Sequence, residues 1–255
     1  TANRRQRQMC IRDSINTLEA HKERLIEISD NIWEAAEPAL LEFKSSKYLW
    51  DYAEENGFKV TKGVADIPTA FTAEYGSGKP IIGIMGEFDA NPGISQKKQP
   101  TKEPLIKGAA GHGCGHNLFG TASLGAAIAI KEMIEAGEIS GTVRFYGTPA
   151  EETIFAKVWM VRAGLFDDLD VCMDWHPGDE IEASTQSSKA LVDFRLKFYG
   201  DAAHASGDPW NGNSAVDAME LYTTGLNYYR EHVRPTARIH YDIEKAGDVV
   251  NVVPE

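Results

Sequence analysis

Residues 79–89 read KPIIGIMGEFD, a nearly continuous apolar run that ends in acidic residues. Such a run is typical of a β-strand buried on both faces, as in a parallel sheet that helices cover on both sides. Two similar segments follow, GTVRFYGTP at 141–149 and LDVCMDWHP at 169–177. Helical patterns separate the three segments, over 118–137 and 157–168. The alternation predicts an α/β fold with a mostly parallel sheet and flanking helices.

The sequence before residue 79 predicts two helices and one further strand. Apolar residues recur at helical spacing over 15–36, and a second helix is expected from 48 to 57, where an Asn-Gly pair ends it. The segment 68–76, bounded by proline and glycine, indicates a strand. Residues 1–14 are basic and aperiodic and contain MCIRDS, which looks like translated sequencing adapter. We therefore expect them to be a non-native leader.

The sequence pattern changes after the strand predicted at 169–177. The segments 190–200 and 237–247 alternate like half-exposed strands, and an amphipathic helix is predicted between them, over 213–233. They predict a β-α-β module over 186–255, following a first domain over 15–185. Because the chain stops just after a strand-like pattern, we expect a fragment whose second domain is truncated at the C-terminus.

Composition excludes several classes of partner. The 255 residues carry a formal net charge of -12, which opposes binding to nucleic acid because the protein repels the phosphate backbone. No apolar run reaches the ~18 to 20 residues that span a bilayer, and the N-terminus lacks a signal peptide's apolar core. We expect a cytoplasmic protein without a membrane partner. Three widely spaced cysteines do not suggest a disulfide framework.

The stretch GHGCGHN, residues 111–117, predicts a metal site. On an extended backbone His112, Cys114 and His116 would share one side, and the glycines between them let the chain wrap closely around an ion. Thiolate and imidazole together suit zinc or a similar transition metal. A buried loop cysteine with two capping histidines is the alternative interpretation. Asn117 is a candidate N-cap for the helix that follows.

Polar residues at the ends of the predicted strands favour a shared crevice. Glu151 and Glu152 follow one strand, Asp89 ends an earlier one and His176 ends a later one, and open α/β sheets bind ligands at these carboxyl ends. A solvated acidic turn is the alternative for the glutamate pair. Two metal ions ~3.5 to 4 Å apart would lower the pKa of a bridging water and polarise a carbonyl. With a free carboxylate to move the proton, this set predicts amide hydrolysis.

The combination of GHGCGHN, GTPAEE and DWHP resembles the M20 metallopeptidases and aminoacylase-like amidohydrolases, over about residues 16–255. The resemblance implies a catalytic α/β domain with two divalent ions, Zn or Mn, interrupted by a smaller α+β lid through which the subunits form a homodimer. It also implies hydrolysis of an N-acyl or N-aroyl amino acid, and one branch points to p-aminobenzoyl-glutamate. A dipeptidase, an N-acyl-amino-acid deacetylase and a non-catalytic metal-binding subunit remain alternatives. A second hydrolase subunit is a further partner that the resemblance suggests.

The resemblance also implies roles for individual residues. Cys114 becomes the bridging ligand in the place where most relatives have an aspartate. His116, Glu152 and His176 become metal ligands, and Glu151 becomes the general base. Relatives take one further histidine ligand from a stretch after the lid, so we expect this fragment to lack full metal occupancy or activity.

Five other residues receive supporting roles or mark a departure from the family. Asp89 and His112 are expected to support the ligands without touching the metal. His204, in GDAAHAS, would reach the partner subunit's site to stabilise the oxyanion, although a strand-end histidine in the lid is the alternative. Asn251 resembles a substrate-binding asparagine, with a turn residue as the alternative. Glu87 stands where other branches have a histidine, whose place His116 is expected to take.

Overall fold

The computed structural model describes residues 2–183, 187 and 189–255. The chain forms two compact units, Thr1–Ile181 and Glu182–Glu255. The domain boundary predicted between 185 and 186 lies outside the described residues. Across the described residues, no helix combines the length and the apolar character that crossing a bilayer requires.

The first unit contains four α-helices and five strands among its described residues. In chain order they are α1 (Ala2–Ala35), α2 (Phe43–Glu55), β1 (Lys59–Lys62), β2 (Phe71–Ser77), β3 (Ile81–Gly86), α3 (His116–Glu135), β4 (Gly141–Gly147), α4 (Ala156–Arg162) and β5 (Val171–Met173). Every helix and strand predicted for this unit is present. Strand β1 is additional, because KVTK is too short and too polar to stand out as a strand in the sequence.

The sheet is mixed, with the strand order β1-β2-β4-β3-β5. Strand β3 is parallel to β4 on one side and to β5 on the other, as the alternating pattern predicts. The prediction of a mostly parallel sheet is nevertheless wrong for the other half, because β2 is antiparallel to β1 and to β4. The segment 78–80 between β2 and β3 is far too short for a parallel crossover, which needs a dozen or more residues. The chain therefore reverses its direction there.

Helix α3 packs on the sheet, and α1 packs on α3, to form the main core. Leu124 and Ile128 of α3 are fully buried together with Phe145 of β4, and Ile28 and Ile32 of α1 join the same cluster. This packing explains why α3 is apolar around most of its circumference.

Helices α1, α2 and α3 begin earlier than the sequence indicates, α2 at Phe43 rather than at residue 48. Helix α1 begins at Ala2 rather than near residue 15, because arginine, glutamine and methionine are good helix formers and extension of an existing helix is inexpensive. Helix α3 begins at His116, so Asn117 is not its N-cap. The Asn117 side chain instead donates to Ser29 Oγ at 3.0 Å. The leader interpretation of residues 1–14 stays a prediction.

The second unit confirms the predicted helix but not the two predicted strands. Helix α5 (Ala215–Tyr229) is capped by Ser214, whose hydroxyl accepts from the Asp217 N–H. Within 189–255, residues 190–200 and 237–247 form no strand, so the α+β sheet expected for the lid is wrong for these residues. Alternation records a preference for burial on one face, but a strand also needs a neighbour that pairs with its backbone. The homodimer expected through the lid stays a prediction.

Candidate metal centre

The candidate centre lies at the carboxyl end of β3. Because β4 and β5 lie on opposite sides of β3, the two crossovers lead in opposite directions, and such an arrangement opens a crevice beyond the strand ends. Asp89 follows β3, Glu151 and Glu152 follow β4, and His176 follows β5. His116 enters the same region as the first residue of α3.

His116 is the centre of this cluster. Its side chain is 1% exposed, with Nε2 2.9 Å from Glu87 Oε2 and 3.7 Å from Glu152 Oε1, and Nδ1 3.1 Å from Asp89 Oδ1. Burial opposes the imidazolium, but the hydrogen bond to Asp89 and the charge of Glu87 outweigh it and raise the pKa of His116 to about 10. The surroundings therefore favour positive charge at this point.

Three buried atoms around His116 provide a test of whether a metal ion fits. Glu87 Oε2, His116 Nε2 and Glu152 Oε1 are inaccessible to solvent and have no hydrogen-bond partner of acceptable geometry among the described residues. Glu87 Oε2 and His116 Nε2 lie at ion-pair distance without forming a hydrogen bond. Buried polar atoms are rarely left in this state, and three that converge are satisfied together by a cation. The residues present fit a metal ion.

Two sets of ligand-type side chains meet here. One contains Cys114, His116 and His176, and the other contains Glu87, His116 and Glu151; within each set the ligand atoms lie within 4.8 Å of one another. His176 Nδ1 lies 3.0 Å from the carbonyl oxygen of Pro177, which can only accept, so the ring proton is on Nδ1 and Nε2 keeps a free lone pair. Sulfur and nitrogen ligands favour zinc, and the carboxylates also suit manganese.

Asn91 shapes the loop that presents Cys114. Its side-chain oxygen accepts from the N–H groups of Gly113 and Cys114 at 3.0 and 3.2 Å, and its Nδ2 donates to Cys114 Sγ at 3.4 Å. Burial and the neighbouring Glu152 raise the pKa of the Cys114 thiol. Metal binding at this sulfur would release its proton, because the ligand form is the thiolate. The sequence does not single out Asn91.

His112 does not share a side with Cys114 and His116, which corrects the expectation from alternate spacing. The loop bends at this point, and His112 Nε2 lies 3.1 Å from the backbone carbonyl oxygen of Ile32 in α1. Burial lowers the pKa of His112 to about 4, so the ring is neutral. His112 therefore ties the loop 111–115 to α1 and belongs to neither ligand set.

Glu87 is more closely involved in the cluster than the sequence indicates. It is 2% exposed, pairs with Lys157 of α4 and contacts His116. Burial raises the pKa of Glu87, but the contact with His116 and the charge of Lys157 outweigh it and hold that pKa below its ordinary value. A carboxylate at the end of a buried strand needs such a partner. Because Lys157 lies 70 residues further along the chain, the sequence could not identify it.

The two residues predicted for the lid are close together in the second unit. His204 forms an isolated bridge with Val252, and the Ala205 N–H donates to the Asn251 carbonyl oxygen at 3.1 Å. His204 Nδ1 accepts the N–H groups of Ser206 and Gly207. The ring proton therefore lies on Nε2, which leaves an N–H donor of the kind that oxyanion stabilisation requires.

Comparison with known proteins gives one family and several relatives. Residues 83–248 match the model of peptidase family M20/M25/M40. The chain is 44% identical over 239 residues to one subunit of the p-aminobenzoyl-glutamate hydrolase of Escherichia coli K12, a match that covers 92% of this chain and 49% of the relative. It is 30% identical over 216 residues to another subunit of that hydrolase, over 80% of this chain and 47% of the relative. The chain spans about half the length of the curated relatives that it matches.

Two crystal structures resemble the chain. An aminobenzoyl-glutamate utilization protein from Klebsiella pneumoniae has a TM-score of 0.64 at 19% identity, over 94% of this chain and 66% of that one, which shows a common fold. A dinuclear metal binding peptidase of the M20 family from Bacillus subtilis has a TM-score of 0.52 at 26% identity, over 60% of this chain and 42% of that one.

Proposed function

The chain belongs to peptidase family M20/M25/M40, and from this membership we propose that it is the metal-binding part of an amidohydrolase. The proposed reaction is the metal-dependent hydrolysis of an N-acyl or N-aroyl amino acid, with p-aminobenzoyl-glutamate as the substrate. The observation that carries the proposal is the convergence of three buried polar atoms that form no hydrogen bond, on Glu87, His116 and Glu152, at the carboxyl end of β3.

The proposed ligands are Cys114, His116, Glu152 and His176, which would hold two divalent ions of zinc or manganese, with Cys114 as the ligand expected to serve both. When bound, such ions polarise a carbonyl oxygen and lower the pKa of a water molecule. The protein supplies a thiolate, two imidazoles and a carboxylate, which together match the preferences of these ions. The B. subtilis peptidase, which is described as dinuclear, supports two ions.

Glu151 is the proposed proton carrier. It adjoins Glu152 and lies with Glu87 and His116 in one ligand-type set. Burial and the charge of Glu87 raise the pKa of Glu151, which makes it a better proton acceptor than an exposed glutamate. In the proposed reaction, Glu151 takes a proton from the attacking water and passes it to the nitrogen of the leaving amine.

The second unit supplies the proposed contacts to the substrate. His204 would donate from Nε2 to the oxyanion in the site of a partner subunit, and Asn251 would bind the substrate. The proximity of these two residues supports a shared role. The E. coli hydrolase has more than one kind of subunit, and the likeness of this chain to two of them supports a second hydrolase subunit as a partner.

The test combines metal analysis with hydrolysis by the protein in its full natural length. Cys114→Ser and His176→Ala should each reduce the metal content, whereas Cys172→Ser, which changes a free cysteine in β5, should retain it. Hydrolysis of p-aminobenzoyl-glutamate is then compared with that of dipeptides and N-acetyl amino acids. Unchanged metal content in both ligand variants would exclude the site. Preference for a dipeptide would indicate that the protein is a dipeptidase. Metal binding without any hydrolysis would indicate a non-catalytic subunit.

A further inference from the structure

Glu42, the residue before α2, is a buried carboxylate without a cation. It is 0% exposed, and no lysine, arginine or histidine pairs with it among the described residues. Its two side-chain oxygens accept from neutral donors, the Thr69 hydroxyl at 3.0 Å and the Ala150 N–H at 2.8 Å. Because burial of an unpaired carboxylate is costly, a glutamate here calls for an explanation beyond packing.

The second of these donors, the Ala150 N–H, belongs to a turn with an unusual backbone conformation. Ala150 has a φ of 58°, in the left-handed region that non-glycine residues rarely adopt. It is fully buried and directly precedes Glu151. Such a conformation persists only where the surroundings hold it in place, and it is found disproportionately at active sites. No water can replace Glu42 at the Ala150 N–H, because both residues are inaccessible to solvent.

The far side of the same turn is held by another carboxylate. Asp89 Oδ2 accepts from the Glu152 N–H at 2.9 Å, and the Phe155 N–H donates to the Ala150 carbonyl oxygen at 2.9 Å. The backbone on either side of Glu151 is therefore fixed by hydrogen bonds to side chains from elsewhere in the fold. Glu42 lies 108 residues before Ala150, at the start of a different helix.

We propose that Glu42 is a positioning residue, which holds the Ala150 N–H and thereby fixes the turn that presents Glu151 to the metal centre. The inference rests on the proposed function in taking Glu151 as the general base. Displacement of a catalytic group by ~1 Å can reduce the rate ~100-fold. The Glu42 oxygen therefore acts as a hydrogen-bond acceptor for the backbone, without contact with substrate or metal.

The experiment compares three variants of the protein in its full natural length, loaded with zinc. Glu42→Gln keeps an acceptor for the Ala150 N–H, whereas Glu42→Leu removes it at similar volume. Ser46→Ala is the control, since it changes another fully buried polar residue one turn further along α2. We expect Glu42→Leu to lower kcat for p-aminobenzoyl-glutamate ~10- to 100-fold with KM changed less than about twofold. Glu42→Gln should stay within about threefold of the parent, and Ser46→Ala should match it.

Thermal stability separates positioning from a merely structural role. Loss of a structural residue lowers the melting temperature and the activity together, whereas in Glu42→Leu the loss of the buried charge offsets the cost of the unpaired Ala150 N–H, so the melting temperature should stay close to that of the parent. A Glu42→Leu protein with kcat within threefold of the parent would overturn the proposal. So would a Glu42→Gln protein as impaired as Glu42→Leu, because the amide retains the acceptor.

Amide hydrogen exchange tests the hydrogen bond between the Ala150 N–H and Glu42 even if the parent protein has no hydrolase activity. Exchange in a peptide spanning 148–155 should be ~10-fold or more faster in Glu42→Leu than in the parent, while Glu42→Gln and the peptide of β4 remain protected. Unchanged protection at 148–155 in Glu42→Leu would refute the role of Glu42 in holding the turn. An inactive parent with this exchange pattern would instead refute the proposed function and leave the Glu42 contact established.

Discussion

Replacement of Glu42 by glutamine should change how the stability of the first unit depends on pH. Burial, together with the nearby charge of Asp89, raises the pKa of Glu42 from 4.5 to about 7, although the hydrogen bond from Thr69 opposes the rise. At ~1.4 kcal/mol per pKa unit, the ionised form destabilises the folded protein by about 3 kcal/mol relative to the protonated form. Glutamine has the same shape and no charge, so it carries no such penalty.

The direction of the pH effect follows from the pKa of Glu42 in the folded and the unfolded chain. Below about pH 4.5, Glu42 is protonated in both the folded and the unfolded chain, and its stabilising contribution is fully present. As the pH rises, the unfolded chain loses its proton first, and the contribution is lost by the time the pH passes about 7. The parent should therefore lose about 2 kcal/mol relative to Glu42→Gln between pH 5 and pH 7. For a domain of this size, that corresponds to a melting temperature lower by about 4 to 8 °C.

The assay is thermal unfolding of both metal-free proteins in chelator, followed by tryptophan fluorescence across this pH range. Four of the five tryptophans, at 33, 50, 159 and 175, lie in the first unit, so the signal reports mainly on it. The other titrating groups are common to both proteins and cancel in the difference. A difference in melting temperature that does not vary with pH would show that Glu42 ionises as an ordinary exposed acid, and it would refute the reasoning from burial.

Two further predictions concern catalysis in the protein at its full natural length. Glu151→Gln should keep its metal content while kcat falls ~10²- to 10⁴-fold, because the amide cannot accept a proton; an unchanged kcat with intact metal would assign the base to another residue. Mixing His204→Ala with Glu151→Gln subunits should restore part of the activity, because a heterodimer would contain one intact composite site; no recovery despite subunit exchange confirmed by mass would exclude action of His204 across subunits.

The sequence predicts the central part of the fold well because burial determines its composition. Strand β3 lies between two parallel neighbours, and its apolar run records that environment. The antiparallel pairing of β2 depends on the short link to β3 rather than on composition. In the second unit, the alternation over 190–200 and 237–247 predicted strands that are not formed, because alternation carries no information about the pairing partner.

The candidate site, like the fold, could be predicted from the sequence only in part. Strand ends and glycine-rich spacing point to Cys114, His116, Glu152 and His176 as candidate ligands, because metal ligands must be of particular chemical types at particular places in the fold. The residues that hold these groups in place have no such signature. Asn91 accepts hydrogen bonds from backbone N–H groups of a loop, and Glu42 accepts one from a turn that is distant in the sequence. Neither contact can be inferred from the sequence.

Charge balance at the crevice leads to a last prediction, about Lys157. The carboxylates of Glu87, Asp89, Glu151 and Glu152 surround His116, and Lys157 is the lysine that pairs with this group in the described part of the chain. In the metal-free protein, Lys157→Met should destabilise the fold by about 1 to 3 kcal/mol, because the buried Glu87 carboxylate loses its lysine and keeps only His116 as a cationic partner. In the presence of metal, the same change should raise zinc affinity, because it removes a positive charge next to the cations. Chelator competition and thermal unfolding, with Lys47→Met as an exposed control whose partner is Asp51, measure the two effects. Weaker zinc binding in Lys157→Met would show that the lysine organises the site rather than balances its charge.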